Sequence, residues 1–237
     1  SYNYVVSVDK DTVRGYLIDV TGHGISTALQ TAAIRAILNE ELIQGNQWSV
    51  ESLKRLENRI QQHLSDESFV AALLFTIDCR QQLLQVVIAG INHFLMANGQ
   101  NAGWVTAHGG YIGIASDMEF GTLTIPFQAG DSVYFMTDGI YENLMQEATP
   151  PVEDFKETMR RLRDMSESPD CRDDRTAIGI SIRSDDRRTI VFSDINSDNY
   201  SVLQPQISRA LAQLISGSEF AVEVAMGEAL TNALRFG

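Results

Sequence analysis

Two apolar runs in this chain end on an aspartate with a glycine close behind, and that pattern constrains the fold most. Tyr16-Leu17-Ile18-Asp19-Val20 closes a strand-like segment that begins at Thr12 and is followed by Gly22-His23-Gly24. Phe135-Met136-Thr137-Asp138-Gly139 closes a second segment that begins at Ser132, and Asp173-Asp174 stand just before a third, Thr176–Ile182. Short apolar runs bounded by turn residues read as buried strands. An ionised carboxylate at the mouth of such a strand is costly without a partner. Several converging carboxylates raise one another's pKa unless a cation sits among them. Hard divalent ions such as Mg²⁺ or Mn²⁺ take oxygen ligands of this kind. Two of them about 3.5–4 Å apart can activate a water and neutralise a phosphoryl group. Taken singly, Asp138-Gly139 reads as a turn, Asp173-Asp174 as a solvated loop, and Gly22-His23-Gly24 as a helix entry or phosphate cradle. Only together do they point to a site.

The elements around these aspartates predict an α+β chain. Ile25, Ala28, Leu29, Ala32, Ala33, Ala36 and Ile37 form an apolar stripe at helical spacing. Ser49 is a good N-cap for a second helix reaching about Leu64. Phe69–Asp78 and Leu83–Ala89 read as a hairpin, with further strands at Phe94–Ala97, Trp104–Ala107 and Phe120–Ile125. Pro150-Pro151 stops the chain before a short charged helix, about Val152–Met165. Strands at Thr176–Ile182 and Thr189–Phe192 follow, and two helices, Val202–Ile215 and Phe220–Arg235, close the sequence. We therefore divide the chain into residues 1–183, rich in strands, and residues 184–237, a strand and two helices of different texture.

Composition excludes several classes. The 237 residues carry a net charge of −13, which counts against sequence-neutral nucleic-acid binding. No apolar run approaches the ~20 residues of a membrane span and no leader opens the sequence, so neither nucleic acid nor membrane is an expected partner. The 2 cysteines, Cys79 and Cys171, are too few and too far apart for a disulfide framework or a CxxC site. The expected setting is the cytoplasm.

The motifs resemble, in order, those of bacterial PP2C-type (PPM) serine phosphatases. The nearer likeness is to the sporulation and stress-response subgroup, which acts on anti-sigma-factor antagonists. Asp19-Val20-Thr21-Gly22-His23-Gly24 before an alanine-rich helix is similar to that family's Asp-Val-Ser-Gly-His-Gly signature. Phe69–Asp78 resembles its Thr-containing strand that ends in Asp, Ala89-Gly90-Ile91-Asn92-His93 its Ala-Gly-His-Pro-Pro turn, and Gly110–Ile114 its later glycine turn. Asp131–Glu142 is similar to its element containing Tyr-Thr-Asp-Gly, and Asp173-Asp174-Arg175-Thr176 to its Asp-Asp-x-Thr. The resemblance covers about residues 1–183 and implies a PP2C-like β-sandwich flanked by helices, with two Mn²⁺ or Mg²⁺ ions between the sheets.

In that likeness Asp19, Asp138 and Asp173 are the catalytic carboxylates. Asp19 bridges both metals, the Val20 carbonyl adds a ligand, Asp138 holds one metal, and Asp173, with Asp174 as second choice, completes it. Gly22, His23 and Gly139 support substrate or motif. His23 and His93 are not needed by an all-oxygen metal set. The family opens with Gly-Gly-Asp-Tyr, whereas this chain has Ser1-Tyr2-Asn3-Tyr4. Asn3 thus puts a neutral, weaker ligand where a second-metal aspartate is expected. A weakened second site, an inactive fold and a shifted alignment all account for it.

Near the end, Ala225–Gly237 resembles the N-box of anti-sigma-factor serine kinases, which have histidine-kinase-like ATPase folds. Glu228 and Asn232 lie one helical turn apart there. In that family the Asn holds Mg²⁺ on ATP and the Glu is a base, so ATP is a cofactor only for a longer parent chain. The implied activity is a metal-dependent serine/threonine phosphatase acting on a phosphorylated anti-sigma-factor antagonist of STAS type. A degenerate docking module and one half of a phosphatase–kinase switch are the alternatives. An upstream sensor or receiver domain fits the subgroup, and a homodimer is allowed.

Overall fold

In a computed structural model, the described residues are 1–44, 47–65, 67–98, 101–115, 118–146, 154–166, 175–184 and 220–227. The apolar runs form strands as their alternation demands. They are β1 (Tyr2–Ser7), β2 (Thr12–Val20), β3 (Val70–Asp78), β4 (Leu83–Ala89), β5 (His93–Asn98), β6 (Asn101–Thr106), β7 (Gly121–Pro126), β8 (Asp131–Met136), β9 (Ala177–Ser184) and β10 (Phe220–Gly227). The helices are α1 (Ile25–Ile43), α2 (Val50–Gln61), α3 (Asp138–Met145) and α4 (Phe155–Ser166). Two 5-stranded sheets result, in the orders β1-β2-β3-β4-β7 and β10-β9-β8-β5-β6. Every pairing of neighbouring strands is antiparallel.

Between the sheets lies a core of alternate strand residues. Leu17, Leu73 and Phe75 of the first sheet meet Phe94, Phe135 and Ile178 of the second, and the Phe75 and Phe135 rings stack at 4.9 Å. The opposite face of the first sheet (Tyr16, Ile18, Leu74) is covered by α1 and α2 through Ile34, Leu38, Leu53 and Ile60. Helices α3 and α4 cover the second sheet through Ile140, Leu144, Met159 and Leu162. The order helix, sheet, sheet, helix is the expected flanked sandwich. No helix among the described residues is long and apolar enough to cross a membrane.

Capping explains where α2 starts. The Ser49 hydroxyl accepts from the Ser52 amide at 3.0 Å, and the Ser52 hydroxyl accepts from the Ser49 amide at 2.9 Å. This reciprocal pair satisfies two donors that a helix start otherwise leaves open.

Three expectations are corrected. Of the stripe foreseen on α1 only Ile37 is buried: Ile25 is 83% and Leu29 68% exposed, while Ile34, Leu38 and Leu42, outside the stripe, are buried. Alanines dominate the foreseen stripe and bury little area, so the larger side chains roughly one position round decide the face. The helix expected from Phe220 is replaced over Phe220–Gly227 by β10, antiparallel to β9. That segment, Phe-Ala-Val-Glu-Val-Ala-Met, alternates with period two as well as with helical period, and pairing to β9 satisfies the backbone groups on that side of the strand. The Asp138-Gly139 turn is the first turn of α3, and β1 was not foreseen. The strand at 189–192, the helix at 202–215, Asp173, Asp174, Glu228 and Asn232 lie outside the described residues.

Candidate active site

Each sheet delivers one carboxylate to the same place. Asp19 is the penultimate residue of β2, paired with Ala71 of β3, and its side chain is 18% exposed. Asp138 follows β8 by way of Thr137 and is the first residue of α3, where the positive end of the helix favours an anion. Its Oδ1 accepts from the Gly139 amide at 2.9 Å. Both aspartates line one cavity of about 220 Å³, together with Glu142, Asn92, His93 and Tyr111 among others. Glu142 lies one helical turn after Asp138, on the same side of α3.

The two sheets are tied together beside this cavity. The Ser1 nitrogen lies 3.4 Å from Asp19 Oδ1, and the Ser1 hydroxyl lies 2.6 Å from that of Thr176. Thr176 donates its amide to Thr137 Oγ1 at 3.0 Å, and Thr137 donates its amide to the Thr176 carbonyl at 3.0 Å. The residue before Asp138 is thereby fixed to the residue before β9.

The far wall is aromatic. The His93 ring lies flat against Tyr141, with centroids 4.4 Å apart and planes 3° apart, and Trp104 meets Tyr141 edge-on at 5.3 Å. His93 Nδ1 is 3.0 Å from the Thr106 hydroxyl, its partner across the β5–β6 ladder. Burial, with a smaller push from His108, holds the His93 imidazolium below its usual pKa. Gly90 backs the floor: its φ is +94°, and a Cβ there would lie 2.5 Å from Tyr111 Cδ1.

The sequence-derived residues divide cleanly. Asp19 and Asp138 are brought together. Val20 ends β2 in the core beneath α1, 4% exposed. Gly22 and His23 sit on an exposed turn, with Gly22 at φ +104°, and do not line the cavity. Gly139 contributes its amide to Asp138. Asn3 pairs with Leu17, two residues before Asp19, and its Oδ1 is buried with no hydrogen-bond partner. His93 and Tyr141 are cavity residues that the motif reading set aside or passed over. The signal within reach was the i, i+3 spacing from Asp138 to Tyr141 on a helix then read as a turn.

The donor chemistry fits a hard divalent cation. The convergent groups are carboxylates and no cysteine lines the cavity. Among the described residues no group of three His, Cys, Asp or Glu side chains is arranged to hold a metal.

The relatives agree with this architecture. Phosphoserine phosphatase RsbP of Bacillus subtilis (strain 168) is 23% identical over 197 residues, 77% of this chain and 48% of that protein. The chain therefore spans about half the length of that curated relative. Among solved structures, RsbX in complex with magnesium aligns with a TM-score of 0.58 at 19% identity, over 75% of this chain and 84% of that one. A Mycobacterium tuberculosis structure comprising RsbU and RsbW domains aligns with a TM-score of 0.53 at 21% identity, over 70% and 44%. These likenesses establish a PP2C-like fold. The model of the family described as Stage II sporulation protein E (SpoIIE) matches residues 9–191, and the chain belongs to that family.

Proposed function

We propose that this chain is a metal-dependent protein phosphatase that hydrolyses phosphoserine or phosphothreonine on a regulatory protein. The observation that carries this reading is the convergence of Asp19 and Asp138, from opposite sheets, on one cavity. Asp19, the Val20 carbonyl and Asp138 would hold the cations, with Asp173, or Asp174 in its place, as the further ligand. Thr176, two residues beyond Asp174, is bonded to the neighbour of Asp138, which supports that choice. When bound, Mn²⁺ or Mg²⁺ supplies charge neutralisation at phosphorus and acidifies an attacking water. The chain holds the carboxylates apart on two sheets and leaves a space between them. Attack of water on phosphorus breaks the bond to the seryl oxygen and yields phosphate and a free hydroxyl. Direct attack of water forms no phosphoenzyme.

The relative named a phosphoserine phosphatase supports the reaction class. The motif likeness supports a STAS-type anti-sigma-factor antagonist as the phosphoprotein, acted on in the cytoplasm. Hydrolysis of p-nitrophenyl phosphate across a Mn²⁺ titration tests the reading. Asp19→Asn and Asp138→Asn should each lower turnover by about 10²-fold or more. No turnover at millimolar Mn²⁺ with the fold intact, or turnover indifferent to both substitutions, would overturn it.

The unpartnered Asn3 Oδ1 favours a second reading, a docking module whose second metal position is weakened. The motif likeness of Ala225–Gly237 is what supports reading residues 184–237 as the opening of a kinase-like domain in a longer parent. The strand at Phe220–Gly227 weighs against the helix that this view expects. ATP binding by a longer chain is its test.

A further inference from the structure

The cavity has acidic groups in Asp19, Asp138 and Glu142, and among the described residues no lysine or arginine lines it. A phosphoryl dianion entering it needs hydrogen-bond donors beyond whatever cations the carboxylates hold. Two of the groups at hand are already engaged. The Gly139 amide is taken by Asp138 Oδ1, and Thr137 is tied to Thr176. Asn92 accepts the Gly109 amide on Oδ1 at 3.1 Å, which orients its side-chain amide. The His93 ring is different. Its stack on Tyr141, itself braced by Trp104, and its contact with Thr106 fix the plane through Nδ1, leaving Nε2 without a partner among the described residues.

We propose that His93 is a substrate-contacting residue, its Nε2–H donating a hydrogen bond to the phosphoryl group, with Tyr141 and Thr106 as positioning residues. This rests on the phosphatase reading and deepens it. In this role the Thr106 hydroxyl, 3.0 Å from Nδ1, is the donor, and the ring carries its proton on Nε2. Partial burial keeps the ring neutral near pH 7, and the neutral ring is sufficient because the role is donation and not proton transfer. The aromatic stack holds the ring at one angle, so the donor is set before substrate arrives.

The test compares wild type with His93→Ala, His93→Gln, Tyr141→Ala and Thr106→Val, using a phosphoseryl peptide and p-nitrophenyl phosphate. Loss of a hydrogen bond to a charged group predicts a rise in KM and in the inhibition constant of inorganic phosphate of about tenfold or more in His93→Ala. His93→Gln, which keeps an N–H donor, recovers part of it. The two positioning variants shift both constants by smaller factors. Unchanged KM and phosphate inhibition in His93→Ala, with wild type active, would overturn the role of His93 alone. Wild type inactive on both substrates would instead remove the phosphatase reading. His93 is then judged by the ¹⁵N resonance of its Nε2, assigned by its loss in His93→Gln, on adding inorganic phosphate with Mg²⁺. A shift supports the contact, and no shift overturns it.

Discussion

Replacing Gly90 by alanine tests how tightly the cavity floor is built. Gly90 has φ +94°, a region that L-residues occupy at a cost of about 1–2 kcal/mol. An added Cβ would also meet Tyr111 Cδ1 at 2.5 Å, Cε1 at 2.7 Å and the Ala71 Cα at 3.1 Å. The Tyr111 ring must move, and moving it breaks its edge contact with Phe69, whose centroid is 4.8 Å away. Such aromatic pairs contribute about 0.5–1.5 kcal/mol. Gly90→Ala should therefore destabilise by about 2–3 kcal/mol, or roughly 4–12 °C in Tm for a chain this size. In a Tyr111→Ala background the ring is absent, so only the backbone cost and the Ala71 contact remain. The double-mutant cycle should then give a coupling of about 1 kcal/mol, read by urea unfolding. Equal costs in both backgrounds would refute the steric half of this reasoning. Costs below about 0.5 kcal/mol in both would refute the backbone half as well.

Other residues yield sharper single measurements. Burial, helped by Asp11, Asp78 and Asp9, pushes the Cys79 thiol up to about 12, so in a Cys171→Ser background alkylation at pH 8 should be slow until the protein is unfolded. An unfolded thiol ionises near pH 8.5, so this group stabilises the fold fully below that pH and loses its contribution as pH rises toward about 12; a smaller fall in stability over pH 9–11 in Cys79→Ala than in the parent is the check. Ser49→Ala removes the α2 cap and should cost about 1 kcal/mol in urea unfolding, against no measurable cost if the reciprocal bonds with Ser52 do not form in solution. Asn3→Asp places a carboxylate where an oxygen is already buried without a partner, so melting in EDTA should fall by the equivalent of about 1–3 kcal/mol. Mn²⁺ should then raise the Tm of Asn3→Asp more than that of wild type, and an equal metal response in both would place Asn3 outside the metal site.

The sequence disclosed the features whose cause is local. Asp19 and Asp138 were visible because a carboxylate ending a buried apolar run needs explaining wherever the strand pairs. The β3–β4 hairpin and the Ser49 cap were likewise set by neighbours a few residues away. Strand β1 was not visible: Tyr-Asn-Tyr-Val-Val-Ser mixes polarity, and its place depends on Tyr2 and Tyr4 packing against Tyr16 at 6.2 and 6.1 Å. Helix α3 was hidden because a glycine at its second position reads as a turn, while its face is fixed by Ile140 and Leu144 against the second sheet. The orientation of α1 failed for a related reason. Periodicity says which residues share a face but not which of two adjacent faces buries more area.

The site divides along the same line. Its charged half follows from strand ends, whereas its aromatic half is a product of pairing. His93 reaches Thr106 through the β5–β6 register, and Tyr141 reaches His93 because α3 packs over the sheet that contains β5. Neither relation has a sequence spacing, so a motif reading finds the carboxylates and misses the ring. The chemistry needs both. Carboxylates alone would make the cavity repel a phosphate dianion, and cations held by the carboxylates offset that charge without fixing which oxygen points where. Orientation has to come from a directional donor. Among the residues lining this cavity, His93 combines a rigid ring with a nitrogen that no described residue engages.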